Sequence, residues 1–437
     1  MLGAAQKPLR IATFKVDATP PTGTPLCDGL VIPSVRVDDP LTARGIVLLS
    51  DEKPIVLFAI DWVGIANGGY DLWRETLAKA AGTTPDRVAV HALHQHDAPG
   101  FDTTAEEILS KHGLAGKLYN PAFGQQTLER AAQALRLAIK KPVKVTEIGL
   151  GRAKVDQVAS NRRLLGPDGK VKYVRYTATR DPVIRAEPEG TIDPYVWLIA
   201  FWNGNRPVAS LTYYATHPQS HYAKGAVSCD FPGLARGLRE GELAKVALIH
   251  FNGAGGNVTA GKYNDGAPEN RMVLARRLAE GMKSAWENQK KSPVNASDVH
   301  WKVVPVSLPL GGRTDEKQLE AIIDDTNQKE AERLRAGRDL AYLSRFRAGR
   351  KIDLTSLKIG PGFVVHMPGE LFIEYQLAAQ NTRPDEFVTM AAYGEYGPGY
   401  IGTRIAYSQG GYETGIVSRT APEVEDVLMA ALKELLR

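Results

Sequence analysis

The sequence predicts a single large α/β domain of mixed sheets flanked by helices. Apolar segments typical of buried strands recur along the chain, and several are joined by tight turns. Segments with the helical spacing of apolar residues separate them. The 42 glycines and 27 prolines are spread through turns, and no repeat or linker divides the 437 residues. One continuous domain is therefore the simplest interpretation.

The predicted strands are short apolar runs: 45–50, 55–60, 87–96, 197–202, 208–215 and 246–251. Asn203 and Gly204 predict a tight hairpin between the fourth and fifth of them. Residues 358–366 are predicted to form a last hairpin. The predicted helices are 71–81, 124–140, 271–288, 314–347 and 423–437. The segment 314–347 is charged and has heptad-like apolar spacing, which predicts a long, partly exposed helix or a helical hairpin.

Composition disfavours several classes of function. The chain carries 54 basic and 49 acidic residues, a net charge of +5, without a basic block, so nucleic-acid binding is not expected. No apolar run reaches the roughly 18 residues that a membrane span needs, so no transmembrane segment is expected. Cys27 and Cys229 form no CxxC pattern, which excludes zinc bound by cysteines and leaves their pairing open.

The first six residues bear on localisation. Small residues stand where a signal peptidase would cut, but the charged and apolar regions of a signal peptide are missing. We interpret residues 1–6 as the remnant of a removed signal peptide or as a tag. This interpretation favours a secreted or periplasmic protein, and a plain cytoplasmic start is the alternative.

Five of the nine histidines fall in two short segments. His94 and His96 are two residues apart, which on the predicted strand places both imidazoles on one face. His91 falls on the other face and is interpreted as a packed core histidine. Asp97 follows directly, and such a pattern is typical of metal ligands at the mouth of a strand. A hydrogen-bonded polar turn explains it equally well.

His217 repeats this arrangement after the apolar strand 208–215. A surface histidine in a turn is the alternative. Ser228 and Asp230 follow, and the Asp230 carboxylate would either orient an imidazole or simply cap a helix.

Three further polar residues lie beside turns. Thr259 belongs to a Gly-rich loop after the strand 246–251, where backbone N–H groups can approach a ligand closely. Glu370 lies at a strand-to-helix turn, where a glutamate also simply starts a helix. Tyr400 lies in a loop that we interpret as too Gly-rich for the core, and an ordinary surface tyrosine is the alternative. Because these segments follow strands or connect elements, their side chains are expected to meet along one edge of the sheets.

Taken in order, these motifs resemble the catalytic domain of the neutral, non-lysosomal ceramidases, zinc amidohydrolases that cleave ceramide into sphingosine and a fatty acid. The resemblance runs from about Ile11 to Tyr412. It is carried by four motifs: residues 94–100, residues 217–220 with 228–230, residues 256–261, and residues 367–370.

A tyrosine motif extends the resemblance. Tyr400 and Tyr412 reproduce the twelve-residue spacing between the family's tyrosine ligand and a second tyrosine, with Thr403 and Tyr407 at matching positions between them. Asn161 and Arg162 resemble an Asn-Arg pair whose arginine lies in the family's active site.

The resemblance implies a Zn²⁺ cofactor and a role for several of these residues. The implied zinc ligands are His94, His217, Glu370 and Tyr400. The residues implied to contact the substrate or to stabilise an oxyanion are His96, Arg162 and Tyr412. Water activated by the metal would attack the scissile carbonyl. His96 is the first candidate for the general acid and Asp97 the second, and Thr259 is a candidate for positioning the substrate.

Residues 7–437 are accordingly expected to form a ceramidase-like zinc hydrolase domain, without the C-terminal immunoglobulin-like domain of that family. Thr259 replaces a serine, Asn257 an aspartate and Asp97 a serine of the family's motifs. These changes leave the zinc ligands intact but alter the rim of the site.

Three functions follow from this pattern. The first is hydrolysis of an N-acyl amide, ceramide-like or more polar. The second is hydrolysis of a glycan, ester or lactone by the same zinc site, which Asp97, Glu374, Glu395 and many tyrosines would suit. The third is non-catalytic binding by the same fold. The expected partner is a small-molecule, lipid or glycoconjugate substrate. The oligomeric state stays open, as does a second metal near Asp61 and Asp97.

Overall fold

Apolar segments pair into three large sheets within residues 7–437, the part of the chain that the computed structural model describes. In spatial order, the first sheet comprises Val88–Ala92, Ile55–Ile60, Thr42–Leu49, Leu9–Asp17 and Val143–Val145. The second comprises Ala247–Asn252, Arg206–Tyr214, Tyr195–Asn203, Glu147–Lys154 and Lys290–Pro293. The third comprises Val299–Val306, Ile352–Ile359, Gly362–His366 and Phe387–Ala391.

Short strand pairs surround these sheets. They are Ser160–Asn161 with Val258–Thr259, Arg163–Leu165 with Val171–Val174, Ala226–Val227 with Arg36–Val37, Glu370–Leu371 with Tyr400–Ile401, and Gly64–Ile65 with Gly100–Phe101. The α-helices are Asn67–Ala81, Thr103–Lys111, Pro121–Ala138, Pro182–Ala186, Asp230–Glu242, Asn270–Glu287, Glu316–Asp324, Glu330–Arg347, Ile373–Thr382, Arg404–Gln409 and Val424–Leu435.

The three sheets share one central core, because each contributes one apolar face to a single buried cluster. Ile46, Ile199 and Leu357, one from each sheet, all belong to it and are fully buried. Burying an aliphatic side chain of this size stabilises a fold by roughly 1.5–3 kcal/mol. The outer faces of the sheets pack against helices, which gives the mixed α/β architecture that the sequence predicts.

Each large sheet contains one parallel strand pair, and these pairs determine where the candidate site forms. Val88–Ala92 runs parallel to Ile55–Ile60, Ala247–Asn252 to Arg206–Tyr214, and Phe387–Ala391 to Gly362–His366. Backbone and side-chain hydrogen bonds join the carboxyl ends of the three pairs, among them Ala92 N to Tyr393 O at 3.1 Å and Asn252 Nδ2 to Leu93 O at 2.6 Å. The segments that follow these strands therefore converge, as the sequence predicts.

Most predicted elements are confirmed within a few residues. The hairpin at Asn203 and Gly204 joins Tyr195–Asn203 to Arg206–Tyr214. The charged segment 314–347 is a helical hairpin of Glu316–Asp324 and Glu330–Arg347.

The predicted strand 87–96 is wrong in its second half, because the strand ends at Ala92. Leu93 N and His94 N donate to Ile60 O and Trp62 O at 2.8 Å each, and His94 adopts a left-handed backbone with φ of 64°. His94 and His96 therefore lie in a turn, and strand alternation does not explain their proximity. His91, inside the strand, is buried and hydrogen-bonded to Ala392 O, as a core histidine should be.

Other expectations from the sequence concern cysteines, membranes and the first residues. Cys27 and Cys229 are both buried free thiols. Among residues 7–437, the helices are all too short or too polar to cross a bilayer. The interpretation of residues 1–6 falls outside the described part of the chain and stays a prediction.

Candidate metal centre

The turn after Val88–Ala92 presents His94 to the site with one nitrogen free. His94 Nδ1 lies 2.6 Å from Val63 O. A carbonyl oxygen only accepts hydrogen bonds, so Nδ1 carries the proton and Nε2 keeps its lone pair. The tautomer therefore leaves His94 Nε2 available as a metal ligand.

His217 follows the strand Arg206–Tyr214 and is held in the same way. Its Nδ1 lies 3.3 Å from Gly255 O and 3.2 Å from the Tyr393 hydroxyl. The backbone at His217 also forms a parallel bridge with Thr259, which fixes the loop beneath the ring. His217 Nε2 is thus an acceptor as well, and it lies 3.1 Å from His94 Nε2.

Glu370 supplies the third atom of the centre from the short strand Glu370–Leu371. Its Oε2 lies 3.2 Å from His94 Nε2 and 3.6 Å from His217 Nε2. This oxygen is buried and has no hydrogen-bond partner within residues 7–437. Burial opposes ionisation of the carboxyl, but His94, Tyr400 and Arg162 outweigh it and hold the pKa of Glu370 below its usual value.

These three atoms fit a bound zinc ion. Their separations are 3.1, 3.2 and 3.6 Å. Ligands at 2.0–2.2 Å from a tetrahedral zinc ion lie about 3.3–3.6 Å from one another. Two acceptor nitrogens and an unpartnered carboxylate oxygen repel each other at such distances unless a cation joins them. The donor set therefore has the geometry and the charge of a metal centre.

Tyr400 borders this triangle from a neighbouring strand. Glu370 and Tyr400 are direct partners in a parallel pair, and the Tyr400 ring stacks on His217 with 6.0 Å between centroids. The prediction that this Gly-rich loop lies outside the core is wrong, because Tyr400 is 5% exposed and belongs to a buried apolar cluster. The strand pairing buries the segment despite its glycines. Burial raises the pKa of the Tyr400 hydroxyl well above its ordinary value.

His96 adds a third imidazole on the same side. Each of His94, His96 and His217 offers one ring nitrogen, and these three nitrogens lie within 4.8 Å of one another. All three residues are buried. His96 Nδ1 lies 3.3 Å from Pro218 O, which leaves Nε2 free. Burial lowers the pKa of both His96 and His217 well below the ordinary histidine value, so both rings are neutral at neutral pH.

Arg162 links the centre to the outer part of the cavity. Its guanidinium donates to Glu413 Oε1 at 2.5 Å and to the Tyr400 hydroxyl at 3.1 Å. It also lies 5.5 Å from the Tyr412 ring, which is 40% exposed. Arg162, Tyr400 and Tyr412 therefore lie together, with the arginine fixed by a buried carboxylate.

Two predicted site residues lie elsewhere. Asp97 Oδ1 accepts from the backbone N–H groups of Lys224 and Gly225 at 3.0 Å each. The Thr259 hydroxyl donates to Arg175 O and accepts from Gly261 N, both at 3.1 Å. Neither residue lines the cavity. Asp97 Oδ1 and the Thr259 hydroxyl hold loops in place, because their partners are backbone groups, whereas Asp97 Oδ2 is buried without a hydrogen-bond partner within residues 7–437.

The other candidate carboxylates, Asp61, Asp230, Glu374 and Glu395, do not line the cavity. Asp61 receives two hydrogen bonds from the Arg236 guanidinium at 2.9 and 2.7 Å, which leaves it unsuited to a second metal. Asp230, the first residue of Asp230–Glu242, accepts from the backbone N–H groups of His221 and Phe231 and from the Ser220 hydroxyl, so its recorded partners are backbone and hydroxyl groups and not an imidazole. Glu374 and Glu395 lie outside the cavity.

Several residues of the centre escape sequence reasoning. Tyr393 contacts His217 Nδ1, and the Tyr396 hydroxyl donates to Glu370 Oε1 at 3.2 Å. Glu413 anchors Arg162 and Arg163. The only available signal was the density of tyrosines between 393 and 412 and the acidic residue directly after Tyr412.

His94, His96, Glu370 and Tyr400 form one wall of a cavity of about 290 Å³. Its other walls come from loops and from the helix Glu330–Arg347. The polar and aromatic lining residues beyond the centre are Asp28, Arg162, Tyr176, Thr177, Gln219, Tyr222, Arg335, Arg338, Tyr396, Tyr412 and Arg419. Leu30 and Ile416, which are 45% and 59% exposed, add apolar surface to the lining.

Comparison with known proteins shows a shared fold. No protein-family model matches the sequence, and no curated protein sequence matches it. The neutral ceramidase from Pseudomonas aeruginosa has a similar structure, with a TM-score of 0.71, 14% identity, and coverage of 99% of this chain and 74% of that one. A ceramidase complexed with C2 gives a TM-score of 0.70 at 14% identity, over 98% and 75% of the two chains. Residues 7–437 therefore have a ceramidase-like α/β fold.

Proposed function

We propose that this protein is a zinc-dependent amidohydrolase that cleaves an N-acyl amide. The observation that supports this most directly is the triangle of His94 Nε2, His217 Nε2 and Glu370 Oε2, all within 3.6 Å of one another. Glu370 Oε2 has no hydrogen-bond partner within residues 7–437. Tyr400 is the proposed fourth ligand. The two structures of similar fold are ceramidases, which supports an amide as the bond cleaved.

A zinc ion at this position supplies a Lewis acid that polarises a carbonyl and lowers the pKa of a bound water towards about 7. The chain itself supplies the neighbouring groups. Glu370 stays ionised because its pKa is held low, and burial lowers the pKa of His217 so that its ring is neutral. His94 Nδ1 contacts Val63 O, which directs Nε2 of that ring to the site. Three protein ligands with one weak tyrosine leave space for water and substrate.

His96 is the proposed proton carrier. Its ring is neutral, its Nε2 is free, and its centroid lies 4.8 Å from that of His94. A neutral imidazole accepts a proton during attack and donates it to the departing amine nitrogen. Asp97, the second candidate for this role, is less suitable because its side chain faces the backbone of Lys224 and Gly225.

Arg162 and Tyr412 are proposed to stabilise the negative charge that develops on the carbonyl oxygen. Glu413 and Tyr400 fix the guanidinium before substrate arrives, so little reorganisation is needed. Removal of one such preorganised donor costs about 3–4 kcal/mol of transition-state stabilisation. Thr259 acts on this site only indirectly, through its backbone bridge to His217.

Metal analysis and a substrate panel test the proposal together. Protein purified without chelator should contain about one zinc per chain and should hydrolyse N-acyl amines. Glu370→Gln should lose the metal and the activity, whereas the matched control Glu374→Gln, four residues away and outside the cavity, should keep both. If protein purified without chelator contained no zinc, the proposal would be contradicted.

The polar lining of the cavity supports a second candidate function. Four arginines and five tyrosines line it, which also suits a glycan, an ester or a lactone. The panel should therefore include glycosides, esters and lactones beside N-acyl amines. If the enzyme prefers a glycoside, ester or lactone, the proposed zinc centre stands, but the bond cleaved is not an amide. The protein would instead be a binding protein if neither the native chain nor a folded Glu370→Gln variant turned over any substrate. In that case the two should also bind ligand equally well.

A further inference from the structure

Two sets of neighbours surround the ring of His96. The metal ligands form one set, with 4.8 Å from the His96 centroid to that of His94 and 5.1 Å to that of His217. The loop that follows His217 supplies the other. Pro218 O lies 3.3 Å from His96 Nδ1, and the Tyr222 ring meets the imidazole edge-on, with 5.5 Å between centroids. This loop therefore fixes both the tautomer and the orientation of the His96 ring.

The loop 218–225 contains no helix or strand of its own. Two residues near its end adopt a left-handed backbone, Ala223 with φ of 58° and Gly225 with φ of 62°. This conformation is unfavourable for alanine, so the turn persists only where surrounding contacts hold it.

Asp97, the residue directly after His96, supplies such contacts. Its Oδ1 accepts hydrogen bonds from Lys224 N and Gly225 N at 3.0 Å each, and its side chain is fully buried beneath the turn. The contacts therefore form a closed circuit. Asp97 holds the turn, the turn presents the Tyr222 ring, and that ring packs against the residue before Asp97.

The first half of the loop has a separate anchor. Asp230 accepts a hydrogen bond from the Ser220 hydroxyl and one from His221 N at 3.2 Å. Loss of the Asp97 contacts should therefore release the turn while the start of the loop stays attached to the helix Asp230–Glu242.

The ring of Tyr222, and not its hydroxyl, makes the contact with His96. Tyr222 lines the cavity, and its hydroxyl has no hydrogen bond within residues 7–437. A phenylalanine at this position would therefore keep the edge-on packing, whereas an alanine would remove it.

We propose that Tyr222 and Asp97 are positioning residues for the proton carrier His96: Tyr222 orients its ring, and Asp97 holds the turn that presents Tyr222. This inference rests on the amide hydrolysis proposed above. A proton carrier must lie within hydrogen-bond reach of the atom that it serves, and displacement by about 1 Å costs up to about 100-fold in rate. The metal ligands and Arg162 remain in place, so the loss should fall on kcat and not on KM.

Variants of Tyr222 test the first part. Tyr222→Ala should lower kcat for an N-acyl amine about 10–100-fold, with KM within about threefold and the zinc content unchanged. Tyr222→Phe should keep kcat within about threefold of the native value. Tyr195→Ala, an exposed tyrosine outside the cavity, is the matched control. Equal losses in Tyr222→Phe and Tyr222→Ala would assign the effect to the hydroxyl and overturn the proposal.

A double variant tests whether Tyr222 acts through His96. General acid–base catalysis contributes about 100–10,000-fold, so His96→Ala should retain a slow zinc-dependent rate. Adding Tyr222→Ala to it should change kcat by less than about threefold, because the ring to be positioned is already absent. Losses that multiply would overturn the proposal.

Variants of Asp97 test the second part. Asp97→Ala should lower kcat about tenfold, whereas Asp97→Asn, which keeps the Oδ1 acceptor, should stay within about threefold. An equal loss in Asp97→Asn would indicate a proton carrier at Asp97, and native kcat in a folded Asp97→Ala would remove its role; either result overturns the proposal. Thermal unfolding checks the fold, and the exposed Asp51→Asn is the matched control.

NMR of isotope-labelled histidine in the zinc-loaded protein separates the two hypotheses. If no amide is hydrolysed, the proposed function fails, and the His96 ring signal, assigned with His96→Ala, then tests the positioning alone. A single sharp signal in the native chain and in Tyr222→Phe, with a broadened or split signal in Tyr222→Ala, supports the inference. A single sharp signal in all three overturns it.

Discussion

The Nε2 atoms of His94 and His217 lie 3.1 Å apart, although backbone carbonyls at both Nδ1 atoms make each Nε2 an acceptor. Glu370 Oε2 lies within 3.6 Å of both. With the ring protons on the two Nδ1 atoms, the two Nε2 lone pairs and the carboxylate oxygen have no donor to share, and a bound cation would join them.

Loss of either histidine should abolish metal binding. His217→Ala removes one of three closely spaced ligands, and the zinc content should fall from about one ion per chain to below a tenth of that. His300→Ala, an exposed histidine at the start of the third sheet, is the matched control. Elemental analysis of dialysed protein measures both. Full zinc content in the His217 variant would show that the ion binds elsewhere.

The Tyr393 hydroxyl should tune the metal affinity through His217, because it contacts the ring nitrogen opposite the metal-facing one at 3.2 Å. Partners of this kind affect metal affinity by about 10–100-fold. Tyr393→Phe should weaken zinc binding by that factor in a chelator competition. Tyr213→Phe is the control, since the buried Tyr213 hydroxyl has no partner among residues 7–437. Equal affinities for the two variants would remove Tyr393 from the metal centre.

Arg162→Lys should reduce catalysis strongly. A lysine retains the charge but cannot contact Glu413 and Tyr400 with one planar group. We expect kcat/KM to fall about 100-fold or more, mostly through kcat. Arg152→Lys tests the same exchange outside the cavity, where the guanidinium stacks on Tyr195 and Trp197. A change of less than about threefold at Arg162 would contradict its role.

The Asp61–Arg236 ion pair should be structural. Both residues are buried, and the shortest contact is 2.7 Å. Arg236→Met leaves the carboxylate unpaired, which should lower the free energy of unfolding by about 3–5 kcal/mol. Arg36→Met, which breaks the exposed pair with Asp38, should cost far less, because solvent screens that pair. Denaturant titration measures both. If Arg236→Met lowered the free energy of unfolding only slightly and the protein bound a second metal ion, a metal site at Asp61 would be supported instead.

Glu395 should make stability depend on pH. Burial raises its pKa to about 7, although Arg345 and the backbone N–H groups of Asn67 and Gly397 oppose this rise. The folded state therefore holds this proton more tightly than the unfolded state. The stability contribution is complete below the unfolded pKa of about 4.5 and is lost as pH rises through about 7. The loss should approach about 3 kcal/mol.

Glu395→Gln should remove that slope, because the amide cannot ionise. Denaturant titrations at pH 5 and pH 8 should show a smaller difference for the variant than for the native chain. The exposed Glu52→Gln should leave the native difference unchanged. An unaltered slope in Glu395→Gln would assign the pH dependence to other groups.

Much of the fold follows from local patterns. Apolar runs specify strands because a sheet buries alternate or all side chains, and amphipathic spacing specifies helices. The hairpin at Asn203 and Gly204 and the helical hairpin within 314–347 depend on residues close together in sequence. The positions of His94 and His217 after strands are also local, and so is the family resemblance of the motifs.

The sequence by itself therefore determined the α/β class, the order of its elements and the candidate residues for a metal centre. Only the tertiary structure decided which of them meet. It bent the chain at His94, paired Glu370 with Tyr400, buried the tyrosine loop, and directed Asp97 and Thr259 to backbone partners. These outcomes depend on contacts between residues far apart in the chain, whose register and side-chain orientation no local pattern encodes.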